Sequence, residues 1–296
     1  MKAPAFSYAR PSRLADALAL LEKHGDEARL LAGGQTLMAT LNMRLSEPSL
    51  LIDLQSVAEL RGIGVTATHL RIGAMVTHSD IESSALVAQH APLLAMAAPH
   101  IAHRAIRNLG TFGGSIAYGD PAAEWPACLL ALDGVVIARS LAGERRIAAK
   151  DFFVGLYTTT LAAHEVIAAC EVPLAQASQR IAFSELARRH GDYAVVGLAA
   201  SAQWSDGLFD SVRLAWLGVG NMPLRTLATE QVLQGQRLSD TLLAQALQAL
   251  RDELNPEADL THSAAAKQHL AGVMLKRTLQ TLTGNQPVPA AHSNAA

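Results

Sequence analysis

The sequence predicts an α+β chain in two parts. Up to Ala175, short apolar strands alternate with helical stretches; from Arg180, three β-type runs are followed by three helical runs. Runs of strands followed by runs of helices are the α+β signature. A length of 296 residues, half of them hydrophobic and 17% charged, is enough for two domains, or one with subdomains, around a sizeable core.

Residues 12–24 read as a helix: Ser12 is placed to cap it, Leu14, Ala17, Leu18 and Leu21 share one face, and Gly25 stops it. Residues 28–32 form a short apolar strand running into Gly33-Gly34. Residues 38–45 are helical, 50–54 a buried strand and 57–60 a short edge element. Residues 62–75 alternate apolar and polar side chains around Ala67, the pattern of a hairpin. Thr77 starts a helix with Asp80 three residues on, and 92–106 form a second, apolar helix. Residues 134–139 and 145–149 read as paired strands, 151–161 as a loop with aromatic anchors, and 165–173 as a strand. A boundary falls near 175–179. The later β-type runs are 180–187, 193–204 and 208–220, and the helical runs 224–234, 240–254 and 262–282. The Pro- and Ala-rich tail, 285–296, is expected to be disordered.

The chain is organised around residues 109–127, LGTFGGSIAYGDPAAEWPA. Gly110, Gly113 and Gly114 allow close backbone approach to a ligand, and Thr111 and Ser115 add small polar groups. Asp120 is placed to cap a following helix with Pro121 at its first position, so the unit reads as loop, short strand, capped helix. A second loop of similar make, LLAGGQTLM, lies at 30–38. Successive free N–H groups in such loops make anion-binding concavities. Two of them suggest one ligand with two phosphates held from two sides. Neither is a P-loop, since no Lys-Ser or Lys-Thr follows the glycines, and neither matches GxGxxG.

Composition narrows the field. A net charge of −2 argues against electrostatic binding to nucleic acid or anionic membrane. No apolar run suggests a membrane span, and the first residues lack the apolar run of a signal peptide. Cys128 and Cys170 sit in apolar surroundings, which fits a reducing cytoplasm, and two thiols cannot hold an iron–sulfur cluster alone. His100 and His103, three apart on the predicted helix, have metal-ligand spacing but no third ligand; surface or capping histidines are the simpler reading. Asp120 and Glu124 read either as an acid/base pair or as a cap and a first-turn carboxylate. Ser115 and Ser184 lack a nucleophile elbow, and Arg188-Arg189 read as a phosphate clamp or a solvated pair. Any chemistry here would be carried by a cofactor.

Six stretches, in order, resemble the FAD-binding medium subunit of the molybdenum hydroxylases, the group that includes carbon monoxide dehydrogenase and xanthine dehydrogenase. They are AGGQTLMATLNMRLSEPSLLIDL (32–54), LRIGAMVTHSDI (70–81), IRNLGTFGGSIAYGDPAAEWPACLLAL (106–132), DFFVGLYTTTL (151–161), ARRHGDYAVVG (187–197) and LGVGNMPLR (217–225). The resemblance implies a flavin-binding fold of the vanillyl-alcohol oxidase and p-cresol methylhydroxylase type over 1–176, with subdomains at about 1–54 and 55–176. It also implies a domain with a three-stranded antiparallel sheet and helices over 177–284.

It further implies FAD held at the pyrophosphate by Ala32, Gly33, Gly34, Gln35 and Thr36 and by Thr111, Phe112, Gly113, Gly114 and Ser115. Glu124 would line the flavin site near Asp120, and Ile167 would lie near the ring system. Tyr193, after the Gly191-Asp192 turn, would lie over one face of the isoalloxazine; the plainer reading is that it begins a strand. The implied partners are a small subunit with two [2Fe–2S] clusters and a large molybdopterin subunit, in a dimer of heterotrimers. Ser115 stands where many members have Asn, as in a carbon monoxide dehydrogenase branch. The Lys that many members carry near Ser184-Glu185 is absent, as is the Cys-rich loop of the benzoyl-CoA reductase branch. The rivals are a scaffold that kept the fold and lost the flavin, against which the intact Gly-Gly loops argue, and a standalone flavin oxidase, for which no substrate acid/base set is visible.

Overall fold

The structure, a computed structural model, describes residues 2–284; the expectation for the tail lies outside them. The chain opens with β1 (Ser7–Ala9), α1 (Leu14–His24), β2 (Ala28–Leu31), α2 (Leu37–Asn42) and β3 (Leu50–Asp53). The strands pair in parallel in the order β1-β3-β2. Leu14, Leu18 and Leu21 of α1 pack with Ile52 in one core. Ser12 is not the cap of α1. Arg13 holds that position without a side-chain bond, and the Leu14 N–H is taken by Glu59 Oε1 at 3.0 Å, a long-range acceptor invisible to local pattern.

A hairpin of β4 (Ile63–Val65) and β5 (His69–Gly73) follows as expected. Then come α3 (His78–Ser83), α4 (Ala85–His90), α5 (Pro92–Ala97), α6 (Arg104–Arg107), α7 (Phe112–Tyr118) and α8 (Glu124–Ala131). Thr77 and Asp80 form the capping box of α3. The continuous helix expected over 92–106 is broken. It passes through a 3-10 turn at Ala98–His100, which contains Pro99, and Ala102 has φ +44°. A proline interrupts the helical ladder. The buried Arg107 guanidinium gathers the freed carbonyls of Ile101 and Ala102, both at 3.1 Å, and pairs with Glu82 at 2.9 Å.

Strands β6 (Val135–Ser140) and β7 (Gly143–Ala148), the small β8 (Phe153–Gly155) and β9 (Thr158–Thr159) hairpin, and β10 (Val166–Pro173) complete this part. The larger sheet runs β4-β5-β10-β6-β7, all antiparallel. Both cysteines are buried and free.

The rest is β11 (Gln179–Ala187), β12 (Ala194–Ser205), β13 (Leu208–Leu217), β14 (Leu224–Arg225), α9 (Leu227–Leu233), α10 (Asp240–Glu253) and α11 (Ala264–Thr283). Three long strands pair antiparallel, and the two-residue β14 adds a rung at the edge. Phe209, Trp216, Leu233, Leu250 and Leu275 form its core. The two parts share apolar packing, because Trp125, Cys128 and Leu129 of α8 belong to one cluster with Ala199, Ala215 and Leu217. Among the described residues no helix is long and apolar enough to cross a membrane.

Candidate functional site

A cleft of about 620 Å³ runs along this junction, within the range of small-molecule and cofactor pockets. Its walls come from residues 32–37, the segment from Ile101 to Glu124, Tyr157, residues 161–167 and the turn Gly191–Tyr193. The expected residues Ala32, Gly33, Gly34, Gln35, Thr36, Thr111, Gly113, Gly114, Ser115, Asp120, Glu124, Ile167 and Tyr193 all line it.

The first loop leaves its amides open. Gly34 has φ +71°, a conformation that glycine adopts without strain. Among the described residues, the N–H groups of 33–36 have no protein acceptor; the first return bond is Met38 N–H to Gly34 O at 3.1 Å. The Gln35 side chain braces the turn through Gly33 O at 2.9 Å. Consecutive unpaired amides of this kind suit an anion.

The second loop differs from expectation. Residues 112–118 are a helix, not a strand, because Thr111 Oγ1 accepts the Gly114 N–H at 3.1 Å and caps it. The amides of Phe112, Gly113 and Ser115 are bonded to Val76 O, Ala74 O and Thr111 O at 2.9, 2.9 and 3.1 Å. This loop therefore offers the cleft a bare backbone surface and the side chains of Thr111 and Ser115 rather than free amides. Gly113 is pressed on the strand exit, where an added Cβ would stand 2.4 Å from Ala74 Cβ. Phe112 turns the other way, fully buried and edge-on to Trp125 at 5.4 Å.

Asp120 does not cap α8. Its Oδ1 accepts the Ala122 N–H at 2.9 Å, and α8 begins four residues later at Glu124, with Ala123 at the cap position. The Pro121 carbonyl is drawn instead to the Gly218 N–H at 2.9 Å, which ties the turn to the C-terminal sheet. Burial raises the Asp120 carboxyl above its usual range. Glu124, first residue of α8, shows part of its surface to the cleft while protein surrounds the rest. Burial, and then the nearby Glu185, push it up to about 8. Burial pushes Glu185 up to about 7, and its Oε2 is sealed off without a hydrogen-bond partner.

Tyr193 does not begin a strand. It precedes β12 and is 72% exposed at the cleft wall. Ile167 is buried at a bulge of β10 facing the same cleft. The histidine pair expected on one helix is dispersed by the break at Pro99: His100 lies against Phe183 at 5.1 Å, and His103 packs under Gly191. Among the described residues no three metal-ligating side chains converge. Ser184 Oγ approaches only Thr278 Oγ1, at 3.5 Å, and Arg188 and Arg189 are exposed.

Three lining residues escape local sequence reasoning. His78 forms part of the floor, where its Nδ1 accepts the Trp125 indole N–H at 2.9 Å. Burial, and then Arg107, bring its pKa down to about 4, so it is neutral with its proton on Nε2. Tyr118 and Tyr157 pack with their rings tilted at 45° and centroids 4.9 Å apart on the cleft wall. The THSD capping pattern locates His78 but not its partner 47 residues away.

Comparison with known proteins agrees with this geometry. Residues 4–175 match the family described as FAD binding domain in molybdopterin dehydrogenase, and residues 181–282 match the CO dehydrogenase flavoprotein C-terminal domain. The chain is 40% identical to the nicotine 6-hydroxylase medium subunit of Paenarthrobacter nicotinovorans, over 94% of this chain and 98% of that one. It is 35% identical to the carbon monoxide dehydrogenase medium chain of Hydrogenophaga pseudoflava, over 93% and 96%. The solved carbon monoxide dehydrogenase of that organism superposes with a TM-score of 0.93 at 36% identity, over 95% of this chain and 98% of that one. The cleft with its open amide loop, the matched domains and these relatives make the chain a member of the FAD-binding medium subunits of the carbon monoxide dehydrogenase and xanthine dehydrogenase type of molybdenum hydroxylase, a family of oxidoreductase subunits.

Proposed function

We propose that this chain holds FAD in the cleft as the electron outlet of a three-subunit molybdenum hydroxylase. The observation that carries the reading is the row of unpaired amides at 33–36, in a loop whose Gly33 lies against the backbone of Leu109 and Gly110. These amides suit the pyrophosphate, with Thr111, Ser115 and the glycine surface of α7 on the other side. Tyr193 and Ile167 would flank the ring system, and Glu124 and Asp120 would face its polar edge. Bound FAD supplies the redox chemistry, taking electrons from [2Fe–2S] clusters of a small partner and releasing them to an external acceptor. The chain's own residues bind, orient and screen it.

In this reading residues 1–176 are the FAD-binding domain and 177–284 the C-terminal domain. The partners are a small iron–sulfur subunit and a large molybdopterin subunit, in a dimer of heterotrimers in the cytoplasm. A lasting contact with the small subunit is required, with an interface on the order of 1,000 Å² or more. The test is gentle purification from the native source. Co-purification of a small and a large partner with bound flavin supports the reading; a fully active preparation of this chain alone overturns it.

A further inference from the structure

We propose that Glu124 and Glu185 form a proton store for the cofactor cleft, with Glu124 as the group that delivers the proton to the reduced ring. The inference rests on the reading that FAD occupies the cleft. Electrons leaving an iron–sulfur cluster bring no proton, whereas a flavin reduced by two electrons forms a new N–H bond. A group of the chain that is protonated at neutral pH and reaches the cleft can supply that proton. In the transfer the O–H bond of Glu124 breaks, the ring N–H bond forms, and Glu124 is left as a carboxylate that takes a proton from solvent through the cleft mouth. The electrons come from the partner's clusters.

The surroundings favour the protonated acid. Glu124 stands at the head of α8 with no cationic partner and an open side to the cleft. Glu185 lies on β11 opposite Gly197, with Oε2 buried and unpartnered. Among the described residues the cations on elements packed against α8 are engaged or exposed elsewhere: Arg213 and Arg225 pair with Asp133, Arg225 also with Glu230, and Lys150 is exposed; His100, beside β11, lies against Phe183. Helix α5 carries no titratable side chain, and β12 no charged one. From α8 comes only Cys128, fully buried, and Asp120, Tyr118 and Tyr193 stand nearby as further acidic groups. On α11 the neighbour of this stretch of β11 is Thr278, and no lysine or arginine of that helix pairs with Glu185 among the described residues. A carboxyl buried without a counter-charge, with a second acid nearby, keeps its proton to higher pH than a free one. The head of α8 favours the anion of Glu124, so the proton remains exchangeable rather than locked in place.

The test has a part that needs no cofactor. Infrared titration of the folded, flavin-free chain should show a protonated-carboxyl band at pH 7. Glu124→Gln should remove the component that persists to the highest pH, and Glu185→Gln should shift that component's midpoint downward. In the assembled complex, reduction of bound flavin, counted per flavin, should slow at least about tenfold in Glu124→Gln, with a solvent deuterium effect present in the wild type and reduced in the variant. A chain that fails to take up FAD fails the underlying reading. A chain that binds FAD but shows no protonated carboxyl at pH 7, or a flavin reduction rate indifferent to both deuterium and Glu124→Gln, overturns the proton store alone.

Discussion

Gly33 and Leu109 meet backbone to backbone: a Cβ on Gly33 would stand 2.1 Å from the Leu109 carbonyl oxygen and 2.8 Å from Gly110 Cα. The two glycine loops are thus one structure, and the first cannot move without the second. Gly33→Ala has no flexible side chain to displace and must push the loops apart. It should weaken FAD binding by about 1–3 kcal/mol, the scale of overpacking. Flavin content after gel filtration, read with the melting temperature, checks this; an unchanged flavin content removes the junction from the site.

Gly114 is a milder case. An added Cβ would lie 2.8 Å from Thr111 Oγ1, the acceptor of its own amide, and 3.5 Å from Ala32 Cβ. Gly114→Val should disturb the cap of α7 and fill the cleft wall, lowering FAD affinity by a few kcal/mol. Equilibrium dialysis with FAD measures it.

His78 makes a pH prediction. Its pKa falls from 6.5 to about 4 in the fold, so between these values the unfolded chain binds the extra proton. Its contribution is complete above pH 6.5 and is lost as the pH drops toward 4, to a total of about 3 kcal/mol. Urea unfolding at pH 7 and pH 5 should show His78→Gln less acid-sensitive than the wild type. Equal acid slopes would show that the ring is not held neutral.

Glu230 joins α9 to the C-terminal sheet. Its Oε1 accepts the Leu214 N–H at 2.8 Å and Arg225 Nε at 2.9 Å, and Arg225 also reaches Asp133 at 3.3 Å across the junction. Glu230→Ala leaves the buried Leu214 amide without an acceptor and the partly buried Arg225 guanidinium with only its contact to Asp133, and should cost about 2–4 kcal/mol. The midpoint of urea unfolding reads this directly, and a change under about 1 kcal/mol would contradict it.

How far this site could be read in advance depends on range. The α3 capping box, the hairpin around Ala67 and the three long C-terminal strands follow local pattern, and the structure has them. The helix over 92–106 breaks because Pro99 interrupts it, and Arg107 makes the break tolerable by gathering carbonyls that no local pattern connects to it. Asp120-Pro121 looks like a cap and first turn, yet the Gly218 N–H, nearly a hundred residues on, claims the Pro121 carbonyl and delays α8. The glycines of both loops are legible as close-approach points. Which loop keeps its amides free depends on Val76 and Ala74 carbonyls supplied by another strand exit, and the approach of Glu185 to Glu124 depends on the packing of α8 against β12, the neighbour of β11.

Tyr193 bears on the electron acceptor. It is exposed at the cleft wall; in the proposed reading it covers one face of the ring and would keep a nicotinamide from lying flat. NAD should be a poor acceptor for the complex, with a quinone, a dye or oxygen serving instead. Tyr193→Ala should shift the flavin spectrum and weaken FAD retention. Fast NAD reduction by the wild type, or a spectrum unmoved in the variant, would count against this placement.

In the proposed function FAD sits between the open amides of 33–36 and the glycine surface of α7. Titrating FAD into the flavin-stripped, folded chain and following visible absorbance tests it most directly. Saturation at one FAD per chain is expected in the wild type, with a clearly weaker isotherm in Gly33→Ala; a folded chain that takes up no FAD, or a Gly33→Ala variant that binds it as tightly as the wild type, would overturn this placement.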